Sequence, residues 1–189
     1  TGALNSIAIT VPVGVLAGQP APAQYNGVAY LAVVTVSSQD GSGNGSATTK
    51  AFKRILISNK AATNKNPEIK QMLVNGVAPN LSPNLSSGAE VGLPFDTPAQ
   101  LSLNWEGAAK ESYQRMKKDL SFEDNQEVLT TTWFVSDGSL QWSRTEEGGS
   151  TQWTTPKANP PGRHLVLVAI LRDNRGGASV KITAIDKLP

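Results

Sequence analysis

The 189-residue chain has no cysteine, which excludes disulfides and any zinc or iron–sulfur site built on thiolates. It lacks long apolar runs. The longest, Leu165-Val166-Leu167-Val168-Ala169-Ile170-Leu171, is far short of the roughly 20 residues of a membrane-spanning helix. It also lacks an excess of charge: 17 Lys and Arg stand against 15 Asp and Glu, a net +2, so no strong field is available for a polyanion. Histidine is nearly missing. His164 is the only one, and no Gly-x-Ser-x-Gly elbow accompanies it, so a nucleophile–base–acid triad has little to draw on. The chain begins at Thr1 without Met, which is read as removal of an upstream leader.

What is abundant points to β structure. Seventeen Gly, 12 Pro, 17 Ser, 15 Thr and 13 Asn supply turns between short strands. Ile7, Ile9, Val11, Val13 and Val15 alternate with smaller residues and predict an edge strand, since Pro12 cannot donate to a ladder. Val28–Val36, a largely apolar run that includes Tyr30 and Thr35, predicts a strand covered on both faces. The Asp40–Ser46 stretch reads as a flexible loop, and Phe52–Ser58 as a further strand. Three or four strands make a small core, so the missing cover is expected from the second half or from another chain. The polar stretch Asn59–Pro67 is the linker.

Beyond it, strands are predicted at Ile69–Val74, Ala89–Leu93, Gln100–Trp105, Val128–Ser136, Leu140–Arg144, Thr151–Thr154, Arg163–Arg172 and Ala178–Ile185. Turn pairs such as Asn75-Gly76, Asp137-Gly138 and Gly148-Gly149 separate them, the pattern of a sandwich or barrel. Ala109, Tyr113, Met116 and Leu120 follow a helical spacing, so one short helix near 108–120 is an expectation, with a charged strand and loop as its rival. The fold class is therefore all-β: a small N-terminal domain, 1–62, followed by an antiparallel β-sandwich, 63–189.

Candidate chemistry is sparse. His164, after a Pro-Gly turn, reads as a surface residue. The adjacent acids Glu123/Asp124 and Glu146/Glu147 read as solvated positions and not as two carboxyls facing across a glycosidic bond. Asp40-Gly41-Ser42-Gly43-Asn44-Gly45 begins like a calcium loop, but Ala51 stands where a bidentate Glu belongs. Arg115, Lys117 and Lys118 are surrounded by acids, so nucleic acid is not an expected partner. No catalytic residue, cofactor or metal site is expected. Four tryptophans, Trp105, Trp133, Trp142 and Trp153, crowd the second half. Core is the default for Trp133 and Trp142, and Trp153 is the most ambiguous. Exposed together, Trp142 and Trp153 would form a carbohydrate-stacking platform.

A longer pattern runs through this half: Trp133-Phe134-Val135-Ser136-Asp137-Gly138-Ser139-Leu140, Arg144-Thr145, Trp153-Thr154-Thr155-Pro156, Pro161-Gly162-Arg163-His164 and Arg172-Asp173-Asn174-Arg175-Gly176-Gly177, entered through Asn64-Lys65-Asn66-Pro67-Glu68-Ile69. It resembles the immunoglobulin-like domains, of polycystic-kidney-disease or cadherin-like type, of predicted secreted lipoproteins of Gram-negative bacteria. The resemblance implies a non-enzymatic, structural or adhesive module outside the cytoplasm, in the periplasm or at the outer-membrane surface. It implies a protein or glycan partner and a lipid anchor upstream of Thr1. A carbohydrate-binding module using Trp142 and Trp153 is the alternative.

Overall fold

The alternation of Leu165, Leu167, Ala169 and Leu171 with Val166, Val168, Ile170 and Arg172 determines how the second half is built. In the computed structural model, which describes residues 10–39, 46–79, 93–105, 110–158 and 165–185, this segment is a strand whose first set is buried and whose second set is not. The chain is mostly β and divides into two compact units. One is Thr1–Thr63 with Gln114–Asp124; the other is Asn64–Tyr113 with Asn125–Pro189.

The second unit is a sandwich of two antiparallel sheets. Its strands, with those of the first unit, are numbered in chain order: β1 Val28–Gln39, β2 Ser46–Ile57, β3 Ile69–Val74, β4 Pro98–Trp105, β5 Ser112–Met116, β6 Phe122–Gln126, β7 Leu129–Val135, β8 Ser139–Leu140, β9 Arg144–Glu146, β10 Thr151–Thr154, β11 Leu165–Asp173 and β12 Ala178–Ile185. The sheets run β3-β4-β10-β8 and β12-β11-β7-β9. Thus β11 is central, with Ala169 opposite Trp133 on β7 and Lys181 on β12. Between the sheets lie Met72, Val74, Ala99, Leu101 and Trp153 from one side and Trp133, Leu165, Leu167, Ala169 and Ile185 from the other. Each large apolar side chain removed from water contributes about 1.5–3 kcal/mol, so the inner parity of β11 anchors the sandwich.

Both core indoles satisfy their N–H groups. Trp133 Nε1 donates to Thr145 Oγ1 and Trp153 Nε1 to the Asp137 carbonyl, each at 3.0 Å. The second bond ties the Asp137-Gly138 turn to the core. Gly138 has φ 83°, and a Cβ there would collide with the Thr154 carbonyl and lie 2.6 Å from Trp153 Nε1.

In the first unit, a six-residue helix α1 (Ala21–Asn26) begins directly after Pro20, with Pro22 in its first turn. It precedes the β1–β2 ribbon. Tyr25 packs edge-on against Phe122 at 5.1 Å between ring centres, and Asn26 exchanges two hydrogen bonds with the Met116 backbone, at 2.7 and 2.9 Å.

Three expectations are corrected. The helix near 108–120 is the β5–β6 hairpin in its described part, residues 110–120. Asp119 Oδ1 accepts from the Ser121 amide and hydroxyl, and Leu120 takes φ 66°, so the local side-chain bonds favour a tight turn over helix continuation. The edge strand Ile7–Val15 is, over its described residues 10–15, coil and turn; Pro12 removes a donor and Gly14 adopts φ 85°. Val28–Val36 lies in a two-stranded ribbon and is not covered on both faces: Leu31 and Val33 are exposed, because a lone ribbon buries alternate residues only. Residues 40–45 lie outside the described residues.

Trp153→Ala is expected to lower unfolding free energy by about 3–5 kcal/mol through the cavity it opens, and Gly138→Ala to destabilise through its forced backbone and lost space. Urea melts of both variants test this; unchanged midpoints would show that Trp153 and its turn do not hold the core.

Candidate functional site

The side chains on the outer parity of β11 and its neighbours form a surface of mixed character. Across the sheet, Ile182, Val168 and Phe134 lie in one row, and Val180, Ile170, Thr132 and Arg144 in the next. Phe134, Val180 and Ile182 are 51%, 57% and 58% exposed. A third row, Ala178, Arg172, Thr130 and Glu146, is polar apart from its first member. The polar end opens into a cavity of about 460 Å³ lined in part by Thr130, Thr132, Arg144, Glu146, Arg172 and Asn174. There Arg172 Nη1 donates to Thr132 Oγ1 at 3.0 Å. Guanidinium, hydroxyl, amide and carboxylate groups at the edge of an apolar field can orient a polar group while the field takes up apolar surface.

A buried polar cluster supports this end of the sheet. Asp173, at the end of β11, accepts from the Arg175 and Gly177 amides through Oδ1, both at 2.8 Å, and from Asn64 Nδ2 through Oδ2 at 2.9 Å. Gly177 is required for space: a Cβ would collide with Asp173 Oδ2. Its neighbour Gly176 supplies the positive φ, 103°. The Arg175 guanidinium reaches Glu127 Oε1 at 3.0 Å and Glu111 Oε2 at 3.4 Å and stacks 4.7 Å over the Tyr113 ring. Glu127 Oε2 accepts the Glu111 amide at 3.0 Å, and the Glu127 amide donates to the Glu111 carbonyl at 2.9 Å. Burial pushes the Glu127 carboxyl above its usual range. The Asp173 and Glu111 charges act in the same direction, while the Glu111 amide and the Arg175 cation oppose them.

The residues singled out from sequence are dispersed. Trp153 is fully buried and Trp142 is 61% exposed, so they do not form a joint exposed platform. Trp142 does not take the core position expected of it. After β8 the chain leaves the ladder, and Thr151 Oγ1 accepts the Trp142 amide and donates to its carbonyl, leaving the indole outside. Among the described residues, Glu123 makes only long ionic contacts, 3.8 Å to Arg115 and 3.9 Å to Lys117. Glu147 pairs with Lys110 at 2.8 Å on the surface. His164 and the Asp40–Gly45 segment lie outside the described residues.

The outer apolar row was the feature missed. Its signal was present: with Trp133 and Val135 inward, Phe134 must point outward, and the alternation Val180, Ile182 continues it. Compared with family models, curated proteins and solved structures, the chain finds no match.

Arg175→Ala leaves Glu127 buried without its cation and is expected to cost about 3–5 kcal/mol, measured by urea unfolding. The pH dependence has a defined sign. With its folded-state pKa raised, Glu127 binds a proton in the folded chain that the unfolded chain has released. Its contribution to stability is therefore greatest below the ordinary value of 4.5 and declines as pH climbs from there through the folded value. Glu127→Gln should remove that decline; an unchanged stability–pH slope in this variant contradicts the assignment.

Proposed function

We propose that this protein is a non-enzymatic interaction module of the cell envelope, structural or adhesive in role, whose contact surface is the outer face of the β12-β11-β7-β9 sheet. The observation that carries the reading is an apolar field that runs across three strands: Phe134 on β7 and Val180 and Ile182 on β12, each more than half exposed, flank the half-buried Val168 and Ile170 of β11 between them. Exposed apolar residues scattered singly need no explanation, whereas a contiguous group with a polar border is the composition of a binding surface. The two buried carboxylates near this face, Glu127 and Asp173, are tied into bonds that hold the turn and the hairpin base, which supports a framework role for them over a chemical one. The extracytoplasmic location rests on the resemblance of the Trp133–Gly177 pattern to secreted envelope proteins.

Glycan binding is a second reading, favoured by one observation, the exposed indole of Trp142.

Photo-crosslinking of the full chain in a Gram-negative envelope preparation separates these readings. Benzoylphenylalanine placed at position 134 or 182 is expected to give a discrete protein adduct, absent when the probe is placed at exposed Gln152. Equal labelling from all three positions, or none from 134 and 182, contradicts the contact surface. If envelope polysaccharide instead quenches tryptophan fluorescence in the wild type but not in Trp142→Ala, the glycan reading replaces it.

A further inference from the structure

The β1–β2 ribbon presents a second surface, with a different chemistry. Its register sets Ala29, Leu31, Val33 and Thr35 opposite Leu56, Arg54, Phe52 and Lys50, so these eight side chains share one face of the ribbon. Leu31, Val33, Phe52 and Leu56 are 59%, 51%, 65% and 42% exposed, and Lys50 and Arg54 are exposed beside them. On the opposite face Val28, Tyr30, Ala32, Val34, Ile55 and Ile57 are buried or half-buried, and Thr49, Ala51 and Lys53, toward the loop end, are exposed. The ribbon is therefore amphipathic in an unusual sense, its open side being apolar and cationic.

Charge selects the occupant. Residues 46–63 carry Lys50, Lys53, Arg54 and Lys60 and no carboxylate, and residues 10–39 carry no charged side chain at all. Ribbon-to-ribbon pairing with a second copy of the chain would set cations against cations. A partner must bring negative charge together with apolar depth. An acidic protein would need both in fixed positions matching the ribbon, whereas an anionic bilayer supplies them as continuous layers. Phenylalanine and leucine can sink to the acyl boundary while the long stems of Lys50 and Arg54 keep their charges among the phosphates.

We propose that this ribbon face docks on an anionic phospholipid surface. The proposal is independent of the sandwich face and of any covalent lipid.

The test is co-sedimentation of the full chain with vesicles of phosphatidylcholine alone or mixed with phosphatidylglycerol. Binding is expected only to the mixed vesicles. It should weaken steeply as salt rises from 0.1 M to 1 M, where the screening length falls from about 10 Å to about 3 Å. Lys50→Gln with Arg54→Gln should weaken binding roughly 25-fold, at about fivefold per cation near the surface. Phe52→Ser should weaken it as well, and Val77→Ser, at an exposed apolar position outside both proposed surfaces, should leave it unchanged. All these positions are exposed, so thermal melts are expected to match the wild type; if Phe52→Ser fails to fold, the charge variant decides. Absence of binding, equal binding to neutral vesicles, or full affinity in the charge variant overturns the proposal. Tighter binding to polyglutamate than to the mixed vesicles also overturns it and points to an acidic protein instead.

Discussion

The carboxylate of Asp173 is the constraint from which the sandwich unit takes its geometry. Its two oxygens gather the Arg175 and Gly177 amides of the β11–β12 turn and the Asn64 amide at the entry to the unit, 109 residues earlier. Two residues on, Arg175 extends the same cluster to Glu127 and Glu111, which bracket the base of the β5–β6 hairpin. One turn thus ties the start of the unit and the return of its central strand to Glu111 and Glu127. Ala178 N donates to Asn66 Oδ1 at 3.1 Å, and the Ser179 hydroxyl donates to the Pro67 carbonyl, extending the same seam along β12.

Such a cluster is not a large source of stability. Desolvating Glu127 opposes its ionisation, and a buried ion pair often does no better than well-packed apolar side chains of the same volume. Its effect is on register. A slip of one residue between β11 and β12 would exchange the inward Leu165, Leu167 and Leu171 for the outward Val166, Val168 and Ile170. Both sets are apolar, so hydrophobicity alone distinguishes them poorly. Asp173 distinguishes them, because only one register brings it to the two turn amides. The apolar outer face is then a consequence of how the register is specified: a polar anchor permits apolar residues on both parities, and the outer set becomes available for contact.

Much of the sandwich was legible because its signals are local. The alternation in β12, the apolar run of β11 and the Ser-Asp-Gly turn after β7 each lie within ten residues. The polar cluster was not legible in the same way. Glu111, Glu127 and Asn64 stand 64, 48 and 109 residues from their partners, and nothing near any of them announces the pairing. The hairpin at 112–126 was obscured differently. Tyr113, Met116 and Leu120 repeat at a helical interval, yet Asp119 closes a turn with Ser121 and the interval becomes incidental. Trp142 shows a third kind of failure. Counting from Leu140 predicts an inward side chain, but the ladder is interrupted after β8, and alternation means nothing once the strand has ended. Of the two tryptophans proposed from sequence as a binding pair, the structure exposes Trp142 and buries Trp153.

Amide hydrogen exchange of the intact chain tests the central role of Asp173 most directly. The amides of Arg175, Gly177 and Glu111 are all donors within this cluster. If it sets the register of the sandwich, they should open only with the whole unit, and their protection should match that of Leu167 and Ala169 in β11. Exchange of these three amides at the rate of an ordinary surface turn, while β11 stays protected, would contradict the account.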